Sequence, residues 1–378
     1  MTTVVSASAV CTPGSPLAGW LAIDGGRIVE TGNGRVPRGA VDLGDALLAP
    51  GYIDLQVNGV DGDDFASAKD DGWHRAARAL LAHGVTAYCP TFVSAPLELY
   101  AAALDRAAAA RAVCAAERLP EILGVHLEGP FLGDAPGAHP VELLRPVDLQ
   151  FLDRVLDDHP GLLRIVTLAP ESDPTLAGTR RLAAAGIVVA LGHSRAGYDD
   201  ARAAADAGAR VVTHLFNGMG PLHHRDPGLP GAALDDERLT ATLIADLVHV
   251  HPAIVRLAVT AKQQLALVSD AVAVESDRLR TDTGAATLAD GTLVGAIALL
   301  DRAVANVVSL GVPVARAVEM ATRIPADVLG LRDRGRLEPG ALADLVVLDP
   351  QTLHVRAVWL RGEPATSGTE TRSSHNGR

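Results

Sequence analysis

Short apolar runs alternate along this chain with longer stretches whose apolar residues recur every three or four positions. The runs cover residues 51–57, 86–92, 122–128, 165–170, 188–193, 211–216, 241–246 and 265–271. Between most of them, segments 70–83, 96–118, 174–186 and 197–207 carry helical spacing. Runs this short suit strands buried on both faces rather than helices. Strand and helix repeating in this order predict a parallel sheet, and eight such runs predict a (β/α)8 TIM-type barrel.

Both ends of the chain have a different texture. "LAIDGGRIVETG" reads as two short strands around a Gly-Gly turn. After about residue 334, "GRLEPGALADLVVLDP" and "LHVRAVWLRGEP" again read as strands with turns. Pairing the two ends predicts a small β-sandwich domain from 1–49 and 335–363, with the barrel over 50–334 between them. The polar stretch 364–378 lacks apolar anchors and is expected to be disordered.

Composition narrows the class. With 378 residues, 48% of them hydrophobic, the chain can bury one large core and a satellite. No apolar stretch approaches the ~18 residues of a membrane span. "MTTVVSASAV" has no basic n-region, so a signal peptide is not expected. Cys11, Cys89 and Cys114 are scattered and odd in number, which fits a reducing cytoplasm and no metal knuckle. A net charge of −12 disfavours nucleic acid as a partner. A small anionic substrate stays feasible where a few cations are placed locally. Lysine is confined to Lys69 and Lys262, so arginine supplies nearly all the positive charge.

Active sites of such barrels lie at the C-terminal ends of the strands. The third run ends at Glu128, the fifth at His193; the sixth carries His214 and the eighth Asp270 near their ends. Singly, each has an ordinary explanation: a hydrogen-bonded core histidine, or a carboxylate capping a turn. Four such residues gathered on one rim point instead to chemistry. Two histidines and a carboxylate form a catalytic set for Zn2+ that leaves a position for water. Fe2+ and Mn2+ also tolerate that set. Asp270 would then serve as general base and afterwards as general acid.

The motifs "PGYIDLQVNG", "GVHLEGPFL", "LGHSRA", "VVTHLFNGM", "HHRDPGLPGA", "LIADLVHV" and "LVSDA" resemble those of the N-acetylglucosamine-6-phosphate deacetylase family, in the amidohydrolase superfamily. The likeness runs in the same order from about Ala49 to Asp349. It implies metal-dependent removal of the acetyl group from N-acetylglucosamine 6-phosphate, or from a related or unphosphorylated N-acetyl amino sugar. It implies Glu128, His193 and His214 as ligands of one divalent metal and Asp270 as the acid/base. It also implies that His139 steadies the oxyanion, that Asn217 and Gly218 contact the sugar or phosphate, and that Arg225 and His249 bind the phosphate, partly across a homodimer.

Several positions depart from, or qualify, that pattern. Where many amidohydrolases carry His-x-His on the first strand, this chain has Gln56-Val57-Asn58, and neutral amides are weak Zn2+ ligands. One tightly held metal is therefore expected. The fourth run, "IVTLAP", has no lysine for a carboxylated bridge, which disfavours the dihydropyrimidinase-like branch. Leu247 stands at the glycine of the family's Asp-Gly-x-His stretch and is expected to narrow the pocket. "VGAIALL", with Ala296, replaces a serine-rich loop expected near the substrate. The usual Asn-Ala is Asn217-Gly218. Asp61, Asp63 and Asp64 read as a polar loop rather than a second metal cluster.

Overall fold

The computed structural model describes residues 2–11, 17–274, 279–281 and 284–366. Eight parallel strands occupy the eight apolar runs: Tyr52–Val57, Val85–Phe92, Val125–Glu128, Leu163–Leu168, Val188–Leu191, Ala209–Val212, Thr240–Ile244 and Leu265–Val268. Each pairs in parallel with the next. A parallel bridge between Val57 and Ala271 closes the ring. That closure lies just past the strand ends: Asn58 N–H and Gly59 N–H both donate to Ala271 C=O, at 2.8 and 3.1 Å. The seam of the barrel is thus built from the residues that flank the candidate site.

The helices follow from their apolar spacing. Leu97–Glu117 buries Tyr100, Ala103, Leu104, Ala107, Ala110 and Cys114, a single stripe of i, i+3, i+4 and i+7 positions. It stops at Arg118, which adopts φ 54. Leu149–Asp158 starts where the Asp148 carboxylate accepts from Phe151 N–H at 2.9 Å. Inside the barrel, Ile53, Leu55, Ile165, Val211, Ile244 and Val268 form a packed plug of side chains, so the ring is a core and not a pore. Ala326 and Leu329, at and just past the helix Arg323–Val328, pack against the same cluster.

The two chain ends share one mixed sheet. Leu47–Pro50 pairs in parallel with Thr3–Val10 on one side and antiparallel with Leu345–Leu348 on the other. The sheet encloses its own cluster, including Val5, Leu21, Ile28, Leu48, Leu345 and Trp359. The polar tail expected over 364–378 begins inside a strand, Glu363–Thr366, which pairs with Val355–Leu360. Residues 367–378 lie outside the described residues. No helix among the described residues is long and apolar enough to cross a membrane.

Candidate active site

Glu128 is the last residue of the third barrel strand, and His193, His214 and Asp270 each lie two residues beyond the ends of the fifth, sixth and eighth. Those three have left-handed backbones, with φ of 48, 32 and 49. A non-glycine residue there costs on the order of 1–2 kcal/mol, so something must hold it. His193 C=O accepts from Gly133 N–H at 2.8 Å, and Asp270 N–H donates to Gln56 C=O at 2.9 Å. His214 N–H donates to the Thr242 hydroxyl at 2.7 Å. The reversal turns each side chain from the strand line into the barrel mouth.

There the donor atoms meet. Glu128 Oε1 lies 2.9 Å from His214 Nε2 and 3.2 Å from His193 Nε2, and the two imidazole nitrogens are 3.1 Å apart. Ligands about 2.0–2.1 Å from a tetrahedral Zn2+ sit roughly 3.3 Å from one another. The triangle therefore has nearly the edge lengths of a ligand set, and its donors fit one divalent cation. His193 Nδ1 lies 3.1 Å from Ala135 C=O, which can only accept, so the proton sits on Nδ1 and Nε2 offers its lone pair. Burial alone would raise the Glu128 carboxyl, but the two imidazoles packed against it, His193 and His214, bring it well below the usual range, so it stands as a carboxylate. His139 also brings a ring nitrogen within 4.8 Å of donors on Glu128 and His193. Its Nε2 is 3.8 Å from Glu128 Oε2, however, and the shorter His214 distances favour His214 as the third donor.

Asp270 stands beside this triangle. Its Oδ1 accepts from Asn58 Nδ2 at 2.8 Å and from Gln56 Nε2 at 3.1 Å, and the same Gln56 amide donates to Glu128 Oε1 at 3.0 Å. Gln56, on the first strand, thus joins both carboxylates as a buried donor, while Asn58, just past the strand's end, donates to Asp270 alone. Burial, with the Glu128 charge behind it, pushes Asp270 up to about 7; a bound dication would pull it back down. His139 is held neutral, chiefly because burial lowers it to about 3.

A cleft of about 460 Å3 opens over these groups. Asn217, Gly218 and His249 line it. Gly218 adopts φ 58, and a Cβ there would lie 2.8 Å from His193 Nδ1, so only glycine fits against that imidazole. His249 Nδ1 meets Asp246 Oδ2 at 2.7 Å. Arg225 does not line the cleft of its own chain; it is exposed in a turn, with Nη1 3.0 Å from His224 Nε2. Leu247 keeps the backbone that a glycine would favour, φ 69, but packs against the hydrophobic core and is absent from the cleft wall, so it does not narrow the pocket. Ala296 is fully buried in the barrel interior, beneath the cleft rather than facing it. Asp63 pairs with Arg75 at 2.6 Å and Asp64, which lines the cleft, accepts from Ser67; instead of a loop, the two form a short strand, Asp63–Asp64, paired with Gly59–Val60. Lys262 Nζ donates to Asp236 C=O, before the start of the eighth strand and away from the site.

Three groups escaped the sequence reading. Ser94 contacts His139, Asp246 holds His249, and Glu171 accepts from Ser194 Oγ and Arg195 N–H beside His193. Ser94 and Asp246 lie two residues past Phe92 and Ile244, the ends of their strands. The offset that places His193, His214 and Asp270 would have found them too.

The amidohydrolase family model matches residues 47–370. A bovine N-acetylglucosamine-6-phosphate deacetylase is 40% identical over 93% of this chain and 92% of its own. An N-acetylgalactosamine-6-phosphate deacetylase of Escherichia coli O157:H7 is 38% identical, over 88% and 91%. Among solved structures, a mutant N-acetyl-D-glucosamine-6-phosphate deacetylase of Mycobacterium smegmatis in complex with N-acetyl-D-glucosamine-6-phosphate superposes with a TM-score of 0.88. It is 38% identical, covering 96% of this chain and 99% of that one.

Proposed function

Because this chain belongs to the amidohydrolase family, and within it to the N-acetylglucosamine-6-phosphate deacetylases, we propose that it hydrolyses N-acetylglucosamine 6-phosphate to glucosamine 6-phosphate and acetate. The observation that carries this reading is the convergence of Glu128, His193 and His214 on one point, with Asp270 and His139 around it.

Glu128, His193 and His214 would hold one divalent cation. Two histidines and a carboxylate favour Zn2+, with Fe2+ or Mn2+ as substitutes. When bound, the cation supplies Lewis acidity that lowers the pKa of water and polarises the amide carbonyl. Asp270 takes the proton of the attacking water and passes it to the leaving nitrogen. Gln56 and Asn58 hold its carboxylate in place for both transfers. His139, neutral and protonated on Nε2, donates to the carbonyl oxygen as it becomes an oxyanion. Such a donor is worth roughly 3 kcal/mol. Asn217 and the Gly218 backbone position the sugar, and His249 faces the phosphate with its Nδ1 proton engaged by Asp246.

Arg225 completes the phosphate site from a neighbouring subunit. Its exposure, its absence from the wall of its own cleft and the exposed apolar Leu222 in the same loop support a homodimer. Three free, buried cysteines support a reducing compartment such as the cytoplasm. A second reading, hydrolysis of the galactosamine epimer, is supported by the Escherichia coli relative. Acetate release from N-acetylglucosamine 6-phosphate, N-acetylgalactosamine 6-phosphate and free N-acetylglucosamine, on metal-supplemented protein, separates these. N-acetylglucosamine 6-phosphate is expected to be fastest; a preference for the free sugar would reject the phosphorylated substrate.

A further inference from the structure

We propose that Ser94 is a positioning residue that sets the tautomer and aim of His139. This rests on the reading of His139 as the group that faces the scissile carbonyl. Ser94 follows the second barrel strand, is buried, and is not among the residues lining the cleft, so it acts through another side chain. Two of its groups converge on one ring atom: its backbone N–H lies 3.3 Å and its hydroxyl 2.9 Å from His139 Nδ1. A backbone N–H can only donate. Nδ1 is therefore an acceptor without a proton, and the single proton of the neutral ring sits on Nε2. That nitrogen lies 3.8 Å from Glu128 Oε2, on the side of the donor set. With the opposite tautomer, Nε2 would present a lone pair to a developing negative charge and repel it.

The turn that carries Ser94 is itself locked. The Tyr100 hydroxyl accepts from Ala95 N–H at 3.1 Å and donates to Val93 C=O at 3.0 Å, bracketing Ser94 on both sides. Tyr100 is buried and meets Phe151 edge-on at 5.5 Å, and Phe151 meets Phe131 at 6.0 Å. Phe131 lies three residues past Glu128 in the chain. One row of rings therefore supports both the serine turn and the segment that leaves the carboxylate ligand, which ties the aim of His139 to the position of Glu128.

The test uses Zn2+-loaded full-length protein labelled with 15N-histidine, together with kinetics of acetate release. Long-range 1H–15N spectra of the parent should show His139, identified by its loss in His139→Asn, as the Nε2–H tautomer. Ser94→Ala keeps the backbone N–H at 3.3 Å but loses the closer hydroxyl at 2.9 Å, so the Nδ1–H form should appear beside the Nε2–H form. Its kcat should fall about tenfold, or roughly 1.4 kcal/mol, while KM and metal content stay close to the parent's. Ser94→Thr should restore both the spectrum and kcat, which a merely structural role would not require. A parent with the proton on Nδ1, or Ser94→Ala with parental kcat, overturns the proposal. So does a shared loss of metal and activity in the Ala and Thr variants. If His139→Asn keeps full kcat, the role given to His139 fails and the inference with it. If the parent releases no acetate yet shows the Nε2–H pattern and its disturbance in Ser94→Ala, the substrate reading fails and the Ser94–His139 coupling stands.

Discussion

Asp270 illustrates how a single residue is prepared for its work. It is turned into the mouth by a left-handed backbone, held by two amides, and pushed upward in pKa by burial. Replacing it by asparagine keeps its shape and removes its proton chemistry. Asp270→Asn is expected to lower kcat by about a thousandfold or more with metal content near one per chain, measured by acetate release and elemental analysis. Full activity in that variant would reject Asp270 as the proton carrier. Gly218 tests the other side of the site. A Cβ there would press on His193 Nδ1 at 2.8 Å, so Gly218→Ala should weaken metal binding about tenfold or more, read by competition with a chelator. Glu128, His193, His214 and Asp270 were legible because each stood where an apolar run stopped. Ser94 was not, because a serine after a strand has no distinguishing chemistry until the loop bearing His139 folds back over it. Leu247 misled for a related reason: the sequence reveals the missing glycine but not that the leucine side chain turns inward and away from the cleft.

At the scale of elements, the strands are fastened beneath the site by a chain of hydroxyls. His126 Nδ1 donates to Leu55 C=O at 3.0 Å, which makes Nε2 the acceptor of the Thr167 hydroxyl at 2.7 Å. Thr167 Oγ1 is then left to accept from Thr213 Oγ1 at 2.7 Å. Four barrel strands, or the residue just past their end, are linked in this way by a neutral imidazole. Burial pulls His126 from 6.5 down to about 4. Between those values the unfolded chain takes up a proton that the folded one refuses. Stability from this group is therefore complete above about pH 6.5 and is lost as pH falls toward 4, by as much as roughly 3 kcal/mol. Denaturant unfolding across that window should show a steeper acid loss in the parent than in His126→Gln; equal slopes would contradict the arrangement. The eight strands and four of the helices were readable from periodicity, since buried parallel strands are uniformly apolar and their helices are not. The inward or outward sense of a residue such as Ala296, which ends the strand Leu293–Ala296, was not, because it depends on a bridge between Ala271 and Ala296 that no periodicity announces.

At the scale of the whole molecule, a chain of net charge −12 must bind a phosphate ester. The long-range field opposes the substrate, so local cations have to overcome it. Arg225 stands outside its own cleft, and the proposed shared phosphate site gives part of that task to a second copy. Arg225→Ala should raise KM for the phosphorylated sugar about tenfold and change KM for the free sugar little. Sedimentation of the parent should give a dimer. An equal effect on both sugars, or a monomer with full activity, would remove the shared phosphate site. All these readings depend on one cation gripped by Glu128, His193 and His214. Anomalous diffraction from a Zn2+-loaded crystal, recorded on both sides of the zinc edge, would locate it. A single peak about 2.0–2.2 Å from Glu128 Oε1 and the Nε2 atoms of both histidines is the expected result. A peak bound through His139 in place of His214, or none in this cleft, would contradict it.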